Sequence, residues 1–184
     1  KPIFENPATA AQTEKDRAII ALSTALTETP GELDPKYIQA LKDAGLNVGL
    51  AGNIGSSLAL QVATEEHDYY IIELSSFQLD NMYEFRANIA VLLNITADHL
   101  DRYDNDMQQY IEAKFRITQN QTPEDSFVYW NEDPVIKKEL SKHGIQAHLF
   151  PFSERKQEGS IGYTENNKII IAEPIAFNME QEKL

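Results

Sequence analysis

Hydrophobic positions change their period along this chain. Over residues 14–44 they recur at helical spacing, first Ile19, Leu22, Ala25 and Leu26, then Tyr37, Ile38, Leu41 and Ala44. Thr13 is a good N-cap, and Glu14 and Asp16 favour the dipole of the first turn, so a helix is predicted from Glu14 to Glu28. Thr29-Pro30-Gly31 breaks it, Asp34 caps a second helix with Pro35 at its first position, and Gly45 is the expected stop. This pair reads as a helical hairpin over residues 1–45. From Leu46 onward, short apolar runs alternate with amphipathic ones. Asn47–Ala51, Tyr69–Leu74, Ile89–Leu93, Ser126–Trp130 and Ile145–Phe150 have the length and composition of strands buried on both faces. Helices are predicted from the Gly52–Gly55 turn to Glu65, over Ser76–Asn81, over Asp104–Asn120, and from Pro134 to His143. Ser160–Thr164 and Lys168–Ala172 flank Glu165-Asn166-Asn167 as a β-hairpin. The fold class is therefore α/β, a mainly parallel sheet with helices on both faces and an antiparallel edge near the C-terminus.

The 184 residues suffice for one domain with a proper core, and a content of 42% hydrophobic and 24% charged residues is that of a globular protein. No apolar run approaches the ~18 residues of a membrane span, and no signal peptide opens the sequence. The absence of cysteine excludes disulfides and thiolate zinc sites, which fits a cytoplasmic protein. A net charge of −13 argues against nucleic acid, whose binding rests on Lys and Arg; its simplest reading is solubility.

Two predicted strands end in polar chemistry. Glu73, Ser75, Ser76 and Gln78 follow the second strand; Asn94, Thr96, Asp98 and His99 follow the third. In an open parallel sheet such ends form the ligand crevice. With Lys114 on the next helix, they suggest a metal and phosphate site. Each residue also has a plainer reading. Glu73 could cap the helix at Ser75–Ser76, His99 could sit in an ion-pair cluster with Asp101 and Arg102, and Lys114 could be a solvated charge. The Gly52-Asn53-Ile54-Gly55 turn could let amides approach an anion, or simply join a strand to a helix. His67, His143 and His148 read as surface residues without ligand spacing.

Four segments carry a resemblance: GNIG at Gly52–Gly55, ELSSFQL at Glu73–Leu79, NITADHLDRY at Asn94–Tyr103 and AKFRI at Ala113–Ile117. In this order they resemble the central domain of the Mur ligase family, and its D-glutamate-adding members most. The resemblance runs from Gly45 to the end. It implies an ATP- and Mg2+-dependent ligase that phosphorylates the carboxylate of UDP-N-acetylmuramoyl-L-alanine, after which the amine of D-glutamate attacks. By motif match Glu73 would be a metal ligand and His99 would contribute to a second metal. Lys114 matches a lysine that the family carbamylates, which would make it a ligand and a catalytic residue with His99. Asn53, Ser75 and Gln78 match substrate-binding positions. Ala97 stands where many members have proline.

Residues 1–44 do not share that pattern. A Mur ligase should carry there a loop of the form G-x-x-G-K-T-T to hold the ATP phosphates; Gly31 is the only glycine present. The segment bears a weak resemblance to the helical end of alkylhydroperoxidase-like proteins, without their reactive cysteines. The expectation is a chimera, with a hairpin at 1–45 replacing the phosphate-loop region and a partial Mur ligase central domain at 46–184. The family's first and third domains are expected to be absent, so the chain alone should be inactive, bind no cofactor productively and leave Lys114 unmodified. Two alternatives stand beside it: an inert structural or interaction module, natural or engineered, and a ligase active only with partner chains. An exposed sheet edge could allow self-association.

Overall fold

The structure is a computed structural model and describes residues 2–3, 14, 18, 36–53, 56–165 and 168–171. The chain divides into two compact units, one made of Lys1–Pro2 and Ser75–Ala176, the other of Ile3–Leu74 and Phe177–Leu184. Of the first predicted helix only Glu14 and Ala18 are described, and both are helical. The rest of it, the break at Thr29–Gly31 and the Asp34-Pro35 cap lie outside the described residues.

The short strand β1 is Pro2–Ile3; in the second of these units, helix α1 (Lys36–Asp43) leads into strand β2 (Val48–Gly52), helix α2 (Leu58–Thr64) and strand β3 (Tyr69–Glu73). Gly45 ends α1 as predicted. Its φ of 79° is one that an L side chain resists, and Leu46 N–H reaches back to the Leu41 carbonyl at 2.9 Å, closing the last turn. Leu41, Val48 and Ala18 form a buried cluster with Ile38, Ala44 and Ile71 packed against it. β2 and β3 pair in parallel, from Val48 opposite Tyr69 to Gly52 opposite Glu73. Gly52 has φ 105°, and a Cβ there would lie 2.2 Å from the Glu73 carbonyl oxygen, so the close pairing itself demands glycine.

The other unit holds helix α3 (Ser76–Leu79), strand β4 (Ile89–Leu92), helix α4 (Met107–Phe115), strand β5 (Ser126–Trp130), helix α5 (Pro134–Glu139), and strands β6 (His148–Arg155), β7 (Gly162–Glu165) and β8 (Lys168–Ile171). The sheet order is β1-β8-β7-β6-β5-β4. β4 to β7 run parallel, and β7 and β8 form the predicted antiparallel hairpin. Ala90, Leu92, Phe127 and Tyr129 from the sheet meet Tyr110, Ile111, Phe115 and Ile136 from the helices in one core.

Three differences from the sequence expectation have local causes. The alternation suggested a single sheet, but β2 and β3 bond to each other while β4 bonds to β5, giving two hydrogen-bonded sets. Helix α4 begins at Met107 rather than Asp104, because Asp104 and Asn105 have φ of 52° and 60°, outside the helical region. It passes into a 3-10 turn at Arg116–Thr118. β6 continues through Pro151 to Arg155 instead of stopping at Phe150; the Pro151 carbonyl accepts from Ile161 N–H at 2.9 Å, and the β6–β7 register is irregular between Phe152 and Arg155.

Candidate functional site

Glu73 closes β3, half-buried, with its backbone opposite Gly52. Its carbonyl accepts from Asn53 N–H at 2.8 Å, and Asn53 Nδ2 donates to its Oε1 at 3.4 Å. The other carboxylate oxygen, Oε2, is buried without a hydrogen-bond partner among the described residues. An orphaned, buried, hard oxygen at a strand end is the donor a Mg2+ ion takes, so this residue fits a metal. Asn53 and Glu73 are thus brought together. Ile54 and Gly55 of the glycine turn lie outside the described residues.

Glu73 does not cap α3. Gln78 performs that task, its Oε1 accepting from Ser75 N–H at 2.9 Å and from Ser75 Oγ at 2.8 Å. Ser75 and Gln78 are therefore brought together as a helix cap, which fixes the turn after the second strand. α3 is also tied to residues further along the chain. Arg102 lies over the Phe77 ring at 4.4 Å, Tyr103 Oη donates to Asp80 Oδ2 at 3.0 Å, and Arg116 Nε donates to the Leu79 carbonyl at 2.9 Å.

His99 stands exposed at the start of a 3-10 turn, Leu100–Tyr103, with φ 50°. That left-handed conformation is uncommon outside glycine and lets the residue be turned out of the strand end. Its partner is Asp98, not Asp101 or Arg102: the backbone N–H donates to Asp98 Oδ1 at 2.8 Å, and the ring Nε2 lies 3.5 Å from Oδ2. The turn hangs from Ile95, whose N–H donates to Asp133 Oδ2 at 3.0 Å; Asp133 Oδ1 in turn caps α5 through Val135 and Ile136 N–H at 2.8 and 2.9 Å.

Lys114 is not a solvated charge. It is half-buried near the end of α4, with Nζ 5.1 Å from the centre of the Tyr110 ring. Burial lowers its amine below the ordinary lysine value, while the negative charge of Asp98 acts in the opposite sense. Asp98 therefore links the two: it contacts His99 directly and its field reaches Lys114 and Tyr110. The sequence places Asp98 in the strand-end cluster but gives it no role. Its signal is spatial, since α4 returns past the end of β4. His99 and Lys114 belong to one unit, Asn53 and Glu73 to the other.

Two histidines expected at the surface are half-buried, with their side chains largely covered. His67 sits between Asn47 Oδ1 and Glu65 Oε2, each 2.9 Å away, edge-on to Tyr70. His143 stacks on Phe115 at 4.1 Å. Only His148 of the three is exposed. No described helix is long and apolar enough to cross a membrane.

Comparison with known proteins agrees with the four motifs. The sequence profile of the Mur ligase middle domain matches residues 17–180, so the match also takes in part of the expected hairpin. The UDP-N-acetylmuramoylalanine–D-glutamate ligase of Bacteroides fragilis is 76% identical over 143 residues, 78% of this chain and 32% of that protein. Its counterpart in Porphyromonas gingivalis is 54% identical over 144 residues, again 32% of the protein. The chain thus spans about a third of the length of the curated relatives it matches. A MurF ligase from Thermotoga maritima, solved with ADP, shares the fold over 85% of this chain and 40% of its own, with a TM-score of 0.53 at 17% identity. On the extent of the profile match, the chain belongs to the Mur ligase family and carries its middle domain.

Proposed function

We propose that this chain is the central domain of a D-glutamate-adding ligase, working in ATP-dependent amide formation between UDP-N-acetylmuramoyl-L-alanine and D-glutamate in the cytoplasm. The observation that carries this reading is the 76% identity to a ligase of that name, over a stretch holding all the candidate residues. In the parent reaction Mg2+ would neutralise charge on the transferred phosphoryl group. Glu73 would hold one ion through Oε2, and His99 with a carbamylated Lys114 would serve a second. Asn53, donating to Glu73 Oε1, orients that carboxylate. Ser75 and Gln78 hold the start of α3 in place, and their remaining capacity would face the muramoyl substrate. Lys114 is conditioned for carbamylation, because only the neutral amine reacts with carbon dioxide and burial favours that form.

The chain alone is proposed to be inactive. Residues 1–45 are read as a helical hairpin in place of the phosphate loop, the mark of a chimera, and they contain no G-K-T sequence to cradle a triphosphate. Positioning and electrostatics supply nearly all of the catalysis of phosphoryl transfer, so losing the cradle removes the reaction. Self-association through an open sheet edge is a further part of this reading.

The decisive experiment places residues 46–171 of this chain into the B. fragilis ligase in exchange for the matching segment. The hybrid is expected to release phosphate in the presence of both substrates, and to lose that activity in Glu73→Ala and Lys114→Ala. A folded hybrid that is inactive, or one indifferent to both substitutions, overturns the assignment. Titration of the unmodified chain with Mg-ATP is expected to show no saturable binding. Saturable binding with turnover abolished by Glu73→Ala would mean that the N-terminal segment supplies a nucleotide site.

A further inference from the structure

On side chains other than the proposed ligase residues, α4 and the end of α5 bring a second set of metal-ligating groups together. Glu112 comes from α4; Glu139 and His143 lie one turn apart at and beyond the end of α5. One carboxylate oxygen from each glutamate and one ring nitrogen of His143 all lie within 4.8 Å of one another. Gln108 holds the two carboxylates side by side: its Nε2 donates to Glu112 Oε1 at 2.9 Å and to Glu139 Oε2 at 3.3 Å.

The charges are incompletely matched. Glu139 is 1% exposed, and a carboxylate so buried needs compensation. Lys142 supplies some, with Nζ 2.7 Å from Oε1, and Lys138 adds a more distant positive field. On the Oε2 side the only donor among the described residues is the neutral Gln108 amide. The His143 ring faces this oxygen, its plane fixed by parallel stacking on Phe115 at 4.1 Å and 5°. Nε2 is buried without a hydrogen-bond partner among the described residues, 3.9 Å from Glu139 Oε2; Nδ1 is 3.7 Å from Glu112 Oε2. Both distances are too long for hydrogen bonds. One ring nitrogen serves one ion; a ring nitrogen and one oxygen of each glutamate, all within 4.8 Å of one another, need only a small side-chain movement to reach the ~3.4 Å spacing that tetrahedral bonds of roughly 2.0–2.2 Å set.

We propose that Glu112, Glu139 and His143 form a binding site for a borderline divalent cation, with Zn2+ as its best match, that staples α4 to the turn after α5. Two carboxylates and an imidazole suit such an ion, and three protein ligands leave a position for water. Binding would satisfy the orphaned nitrogen and the unpaired side of Glu139 together, with Lys142 remaining on Oε1. This site is independent of the ligase reading, since it uses none of Glu73, His99 or Lys114.

The test is a calorimetric titration of the metal-free chain with Zn2+, repeated in a Glu73→Ala, His99→Gln, Lys114→Met background that removes the proposed ligase ligands. One saturable site is expected to survive in that background and to raise the thermal midpoint. Co2+ should give a visible absorption band of low-coordinate type. His143→Gln and Glu112→Gln should each weaken binding by about tenfold or more. Glu112 is exposed, so its variant isolates coordination from folding; circular dichroism checks both. No saturable binding in that background, or binding indifferent to both substitutions, overturns the site.

Discussion

Replacing Asp133 by alanine tests how the His99 turn is held. The side chain is buried and accepts three backbone hydrogen bonds, from Val135 and Ile136 N–H through Oδ1 and from Ile95 N–H through Oδ2. The first two are the N-cap of α5, and losing such a cap costs about 1 kcal/mol. The third orphans a donor in the core, where Ile95 is itself buried, and stranding such a group costs about 1–3 kcal/mol. Asp133→Ala is therefore expected to destabilise the unit by about 2–4 kcal/mol. Asp133→Asn separates the two parts. Its Oδ1 can keep the cap, but Nδ2 would present a donor to the Ile95 N–H. Urea unfolding monitored by circular dichroism measures the sum, and amide exchange at Ile95 reads the second part directly. A cost for Asp133→Ala below about 1 kcal/mol at unchanged m-value refutes the reasoning. So does an Ile95 amide that exchanges no faster in Asp133→Asn.

The same geometry leads to three other expected outcomes. Burial alone would raise the Asp125 carboxyl, but Arg86 at 2.8 and 2.9 Å and Thr122 outweigh it and hold its pKa below the ordinary carboxylate value. Its folded pKa is the lower one, so this stability is present at neutral pH and is lost as pH falls through it. Arg86→Ala should move the acid-unfolding midpoint to higher pH, and an unmoved midpoint would show the pair to be idle. Lys114 has the reverse sign: its folded amine titrates below its unfolded one, so burial of its charge costs stability at neutral pH and the cost is relieved as pH rises through the folded value. Lys114→Met should flatten that alkaline rise in stability, and an unchanged pH profile would refute the assignment. Gly52→Ala would force a Cβ to within 2.2 Å of the Glu73 carbonyl at φ 105°, and should cost at least about 2 kcal/mol in thermal or urea unfolding, with β2–β3 amides losing exchange protection.

Much of the fold was legible because its determinants are local. The change from helical to strand period fell where α1 gives way to β2, Gly45 stopped its helix, and Pro134 opened α5 as predicted. Legibility failed where a distant partner or an unusual dihedral decided. Nothing in the period revealed that Asp104 and Asn105 take left-handed φ, or that β6 would carry a proline with its irregularity toward β7. His67 and His143 looked like surface residues because residue type is visible in sequence, whereas Tyr70 and Phe115 are neighbours only after folding. The ligase candidates were legible as motifs, but the electrostatic link from Asp98 to Lys114 was not.

That link bears on how a buried lysine could be kept usable. Burial pushes the Lys114 amine toward its neutral form, which carbamylation requires, but a wholly uncompensated charge in the core would cost the fold at every pH where it persists. Asp98 tempers the cost, being near enough for its field to act on Lys114 while its carboxylate is exposed and also contacts His99. Once an amine becomes an anionic carbamate, the same carboxylate turns from partner to repulsive neighbour. On the proposed reading a cation would then be needed between them, and His99, turned outward by its left-handed φ beside Asp98, would stand next to it. The left-handed backbone at His99 and the half-buried position of Lys114 are related through Asp98, which contacts the first and whose field reaches the second.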